Sequence, residues 1–154
     1  MKPLLVTITV VLGLLGAGRL PADALLVIRE PWIREAPPTS DVLAGYMIID
    51  NTGERSVEIT AITSPDFAHT ELHQTLVEDG IARMKPVGIL AIPAGSSRIL
   101  EPGGMHLMLF NPGRVLHAGD TVTLVIRRRD GKPVTVTAPV LRNIGSAASH
   151  QHHH

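Results

Sequence analysis

From Leu25 onward the chain alternates. Short apolar runs are separated by tight polar breaks, and no stretch sustains a helical period. The runs are Leu26–Ile33, Ala44–Ile49, Val57–Ile62, His69–Val77, Ile81–Val87, Ser97–Leu100, Met105–Phe110, Thr121–Arg127 and Pro133–Ala138. Between them stand turn-forming groups such as Pro37-Pro38, Asn51-Thr52-Gly53, Asp79-Gly80, Pro102-Gly103-Gly104, Asn111-Pro112-Gly113 and Asp130-Gly131. Many short strands at regular spacing with such breaks predict an all-β sandwich or barrel. A single helical turn is expected near Pro65–His69. No repeat or linker divides the chain, and 154 residues suit a single domain.

Two segments carry a finer pattern. Asp79-Gly80 between two alternating runs is a two-residue hairpin signal. That loop pairs Glu78 with Ile81, Thr75 with Met84, and His73 with Pro86. His73 and Met84 then lie diagonally on one face, because cross-strand partners and residues two apart share a face. Arg83 and Lys85 fall on the opposite face with Leu72 and Leu76, which suits a core only if this strand lies at an edge or carries a bulge. In Met105–Phe110, His106 and Met108 point one way, and Met105, Leu107 and Leu109 point the other, toward the core.

The N-terminus changes the picture of where the protein works. Lys2, an apolar run from Leu4 to Leu15 and Ala22-Asp23-Ala24 together form a signal-peptide pattern over residues 1–24, with cleavage before Leu25. An uncleaved N-terminal anchor is the alternative. Removing these residues leaves 12 basic and 13 acidic side chains, a net charge of −1 with His neutral. No basic patch suggests a nucleic-acid footprint. The chain has no Cys. Disulfides, a bacterial lipoprotein anchor and a blue-copper centre, which needs a Cys sulfur, are therefore not expected. A core of Val, Ile and Leu must suffice, since only Trp32, Tyr46, Phe67 and Phe110 are aromatic.

Two imidazoles and two thioethers thus recur on same-face positions: His73, Met84, His106 and Met108. Taken singly, a strand His is usually a half-buried polar residue and a Met is core filler. Together they make a soft ligand set that suits monovalent copper. His69 shares parity with His73 and flanks the set. Met105 faces the wrong way, and His117 belongs to an exposed turn. Beyond Leu141 the chain becomes small and polar and is expected to be disordered over residues 142–154. It ends in a tract whose His150, His152, His153 and His154 form a candidate second site for Cu(II). An expression tag is the alternative origin of that tract.

The spacing of His73, ten residues, Met84, twenty-one residues, His106-x-Met108 resembles the signature of the periplasmic copper chaperones of the PCu(A)C family. Trp32-Ile-Arg-Glu-Ala-Pro-Pro38, Gly45-Tyr-Met-Ile-Ile-Asp-Asn51, Glu71-Leu-His73 and Pro102-Gly-Gly-Met-His106 are similar to its strands and turns. The resemblance spans Trp32 to Pro139. It implies a cupredoxin-like Greek-key β-sandwich over residues 25–141, with Cu(I) held by those four side chains. It also implies delivery to the dinuclear copper centre of cytochrome c oxidase subunit II. A thiol-bearing assembly factor is a further expected partner, and the protein is expected to act as a monomer and not as an enzyme. Copper storage or buffering without a dedicated acceptor is the competing function.

Overall fold

The computed structural model describes residues 25–142. The expected signal peptide and the His-rich tract fall outside these residues. Ten strands run in order: β1 (Leu26–Arg34), β2 (Val42–Asn51), β3 (Val57–Thr63), β4 (Phe67–Glu78), β5 (Ile81–Pro86), β6 (Leu90–Ile92), β7 (Ser97–Leu100), β8 (Met105–Pro112), β9 (Thr121–Arg128) and β10 (Val134–Leu141). The fold is all-β. The helical turn expected near Pro65–His69 is instead a tight turn at Pro65-Asp66 that leads straight into β4. Every predicted run lies on a strand. Only β6 was not foreseen, because three residues between Gly88 and Pro93 are too short to show alternation.

The hydrogen-bonded order is β5-β4-β8-β7-β2-β1-β10-β9-β3-β6. It folds into two layers that meet where β1 and β10 run parallel, with Ile33 opposite Val140. One layer contributes Ile33, Leu43, Met47, Ile49, Leu107 and Leu109 to the core. The other contributes Ile59, Ile92, Val122, Leu124, Ile126 and Val140, and all twelve are buried. Aliphatic side chains fill this interior without a disulfide, as a chain of this size can.

Two local departures set the site-bearing layer. Glu30 has a positive φ of 51°, and the β1–β2 register shifts between Arg29 and Trp32. Pro31 has no N–H to give the ladder. The extra residue in this bulge reverses the alternation, so Leu26 and Ile28 face inward before it and Trp32 and Arg34 face outward after it. In β2, Gly45 allows close passage of neighbouring side chains. A Cβ there would lie 3.0 Å from Ile33 Cδ1 and 3.2 Å from Leu109 Cδ1.

Leu109 has zero exposure and backs the strand that carries His106 and Met108. Leu109→Ala is expected to lower unfolding free energy by roughly 2–5 kcal/mol, the range for emptying a packed leucine site. The measurement is urea unfolding followed by circular dichroism.

Candidate metal centre

β4 is the strand from which the site is built. It pairs antiparallel with β8 along Phe67–Gln74 and with β5 along His73–Glu78. The two pairings overlap at His73 and Gln74, and His73 has His106 opposite it in β8 and Pro86 opposite it in β5. The hairpin register is the one expected, with Glu78 opposite Ile81 and Thr75 opposite Met84. The turn is made by Asp79 at φ 53° and Gly80 at φ 77°, the left-handed pair that a two-residue hairpin turn requires.

This register gathers the expected residues on the outer face of one layer. His73 and His106 are direct partners, Glu71 stands opposite Met108, His69 opposite Phe110, and Met84 lies diagonal to His73. The His73 and His106 ring centroids are 6.2 Å apart. An ion about 2 Å from one nitrogen of each ring, the usual imidazole distance, fits that separation. His106 is 8% exposed, whereas Met84 is 60% exposed. The centre therefore grades from a shielded imidazole wall to an open thioether at the sheet edge.

That edge also accounts for Arg83 and Lys85. All of β5 is exposed, so their face need not be apolar, and both reach Glu78 across the hairpin. The charges blunt an edge strand that would otherwise offer unpaired backbone to other chains.

The imidazoles are held differently. His106 Nδ1 lies 3.0 Å from the Gly104 carbonyl. The same carbonyl accepts from the Thr75 N–H at 3.1 Å. The Pro102-Gly103-Gly104 turn thus presents a carbonyl that orients the His106 ring. His73 Nε2 lies 2.7 Å from Glu71 Oε2. His73 Nδ1 is buried and has no hydrogen-bond partner. A buried acceptor left unpaired costs roughly 1–3 kcal/mol, so such an atom marks a place where a ligand belongs. The donor types suit a soft monovalent ion: two imidazoles and two thioethers lie on one face. Among the described residues, no three His, Asp or Glu side chains group as a metal site of the harder kind.

Glu71 and the Gly104 carbonyl were missed from the sequence. The first was legible in principle, since it sits two residues from His73 and strand alternation puts both on one face. The second depends on the turn. His69 stacks on Phe110 with centroids 4.3 Å apart and an interplanar angle of 3°, and its Nε2 is 3.8 Å from Glu71 Oε1. It flanks the set, as expected. His117, 66% exposed in its side chain, stands away from it beside Glu35. Met105 packs on the core and not toward the site.

The outer face continues across β2 into β1. Gly45 pairs with Leu107, so Tyr46, one step on, flanks His106. Tyr46 packs on Trp32 with centroids 4.5 Å apart, and the Arg34 guanidinium lies over both rings at 5.4 and 6.0 Å. This aromatic and cationic shelf walls one side of the imidazole pair.

An all-β sandwich with a copper-type donor face defines the class, and comparison with known proteins agrees. The model of the family described as putative lipoprotein LpqE-like matches residues 26–140, and the chain belongs to that family. "Putative lipoprotein Lxx21020" of Leifsonia xyli is 31% identical over 141 residues, covering 85% of this chain and 84% of its own. The Cu(I) form of DR1885 from Deinococcus radiodurans has a TM-score of 0.61 at 30% identity, over 84% of this chain and 85% of that one. The copper-bound PCuAC domain from PmoF2 has a TM-score of 0.65 at 20% identity, over 77% of this chain and 93% of that domain. The fold is thus that of PCuAC domains, and the resemblance to the PCu(A)C family holds.

Burial raises the Tyr46 phenol above its ordinary value of 10.0, and the Arg34 charge partly opposes this. Tyr46 is the one tyrosine of the chain, so its absorbance can be titrated directly. The phenol is expected to ionise above pH 10.0 in the folded protein. Folding favours its protonated form. This contribution to stability is complete below the unfolded-state value and is lost as pH rises through the folded-state value.

Proposed function

We propose that this protein is an extracytoplasmic Cu(I) carrier in which His73, Met84, His106 and Met108 hold the ion, and that it hands copper to the dinuclear centre of cytochrome c oxidase subunit II. The single observation that carries the reading is the pairing of His73 with His106 on a face shared by both thioethers. A buried, unpartnered ring nitrogen on His73 supports it.

The residues divide the work of a carrier. The two imidazoles hold the ion from a strand pair backed by Leu107 and Leu109, which are buried. Thioethers bring no proton that the metal must displace, so only the imidazoles make binding depend on pH. A neutral donor set leaves a monovalent cation incompletely compensated. An acceptor bearing thiolates can therefore draw it away. Met84 stands at the exposed edge, where an incoming ligand can replace it first while His73 and His106 still hold the ion.

Export follows from the Leu4–Leu15 run and the Ala22-Asp23-Ala24 site. The lipoprotein name of the Leifsonia relative agrees with a place outside the cytoplasm. The chain itself has no Cys to take a lipid. No helix among the described residues is long and apolar enough to cross a membrane. A second, Cu(II)-binding role is proposed for His150, His152, His153 and His154. It is tested by Cu(II) stoichiometry with and without residues 150–154.

Titration of the mature chain lacking that tract, against a Cu(I) chelator, is expected to give one tight Cu(I) per molecule. Met84→Ala and Met108→Ala are each expected to weaken it by at least about tenfold, some 1.4 kcal/mol. Affinity indifferent to both substitutions would overturn the four-ligand reading. Mixing two equivalents of the loaded protein with the apo copper domain of subunit II, followed by one-electron oxidation with added ferricyanide, is expected to generate the acceptor's coloured centre. Retention of copper by the carrier would favour storage over delivery.

A further inference from the structure

The two histidines are held by unlike acceptors on opposite ring nitrogens. In His106 the Nδ1 side is engaged by the Gly104 carbonyl at 3.0 Å, which requires the proton on Nδ1 and leaves the Nε2 lone pair free. In His73 the engagement is reversed. Nε2 lies 2.7 Å from Glu71 Oε2, and Nδ1 is the buried atom without a partner. The carboxylate can only accept while it is ionised, so the contact places the His73 proton on Nε2. The other tautomer would face an Nε2 lone pair at an anionic oxygen and bury an N–H with nothing to receive it. Both consequences are unfavourable.

We infer that Glu71 is a positioning residue that locks His73 in the Nε2–H tautomer, so that His73 offers Nδ1 to the ion while His106 offers Nε2. This rests on the Cu(I) reading above. Glu71 also has His69 beside it. Its second oxygen is 3.8 Å from His69 Nε2, and His69 lies flat on Phe110. Phe110 stands opposite His69 across the β4–β8 ladder, one pair beyond Glu71 and Met108 on the same face. The chain from Phe110 through His69 and Glu71 to His73 therefore runs along one face of β4. A carboxylate behind an imidazole ligand fixes ring orientation and raises ligand basicity.

The deciding experiment is nitrogen-15 NMR of the imidazoles in the apo protein, at alkaline pH, for wild type, Glu71→Ala and Glu71→Gln. Wild type is expected to show His73 protonated at Nε2 and His106 protonated at Nδ1. Glu71→Ala is expected to mix the His73 tautomers and leave His106 unchanged. Glu71→Gln, whose amide oxygen still accepts but whose NH2 can also donate, is expected to restore the Nε2–H form only in part. Chelator competition is then expected to show Cu(I) binding 10–100-fold weaker in Glu71→Ala, about the effect of losing such a partner, with Glu71→Gln closer to wild type. A backbone amide spectrum reports folding, and Glu71, with a 47% exposed side chain, is spared by the core. His73 protonated at Nδ1 in wild type would overturn the inference, as would a tautomer or a Cu(I) affinity unmoved by Glu71→Ala. If wild type bound no Cu(I), the carrier reading would fail while the apo tautomers still decided the role of Glu71.

Discussion

The antiparallel pairing of β4 with β8 is the contact on which the rest of this molecule's chemistry depends. It sets His73 against His106 and Glu71 against Met108. Side-chain facing in a strand has a period of two, so a slip of one residue would turn each of these groups toward the interior and bring Leu72, Leu107 and Leu109 out. The register is held by what lies on the other face. Leu107 and Leu109 are buried, and Leu72 packs against the same core. The hydrophobic cost of a slip is what keeps the imidazoles in place. In this sense the core of the sandwich is the outer wall of the centre.

The same layer is graded from rigid to open. At its inner side β8 also pairs with β2, and the Trp32, Tyr46 and Arg34 shelf closes the face. At its outer side β5 has no further neighbour among the described residues and is exposed throughout. The imidazoles thus sit where the sheet is continuous and Met84 where it ends. A resident metal centre would be better served by enclosure on all sides. The proposed carrier needs one ligand that an acceptor can reach, and Met84 at the end of the sheet is 60% exposed.

Glu71 and the Gly104 carbonyl add a second level of order. Neither is a soft donor, yet each engages one nitrogen of an imidazole and thereby decides which nitrogen is free. One is a side chain on the same strand as its imidazole, and the other is a backbone oxygen placed by a turn. Because their geometries differ, the two rings are not equivalent, although their residue type and their place in the ladder are the same.

Much of this was legible in the chain itself. Alternation and turn residues determined the strands, the hairpin register around Asp79-Gly80, and the common face of His106 and Met108, because these are local consequences of backbone geometry. The absence of Cys excluded thiolate from any centre that this chain could build. The tertiary structure decided what depends on distant residues. It made His73 and His106 partners although thirty-two residues lie between them. It put β5 at an edge, which settles the placement of Arg83 and Lys85. It reversed β1 at Glu30-Pro31 so that Trp32 and Arg34 reach the outer face. Each of these is a choice of strand neighbours, and neighbours are selected by the burial of a shared core, which no local pattern contains.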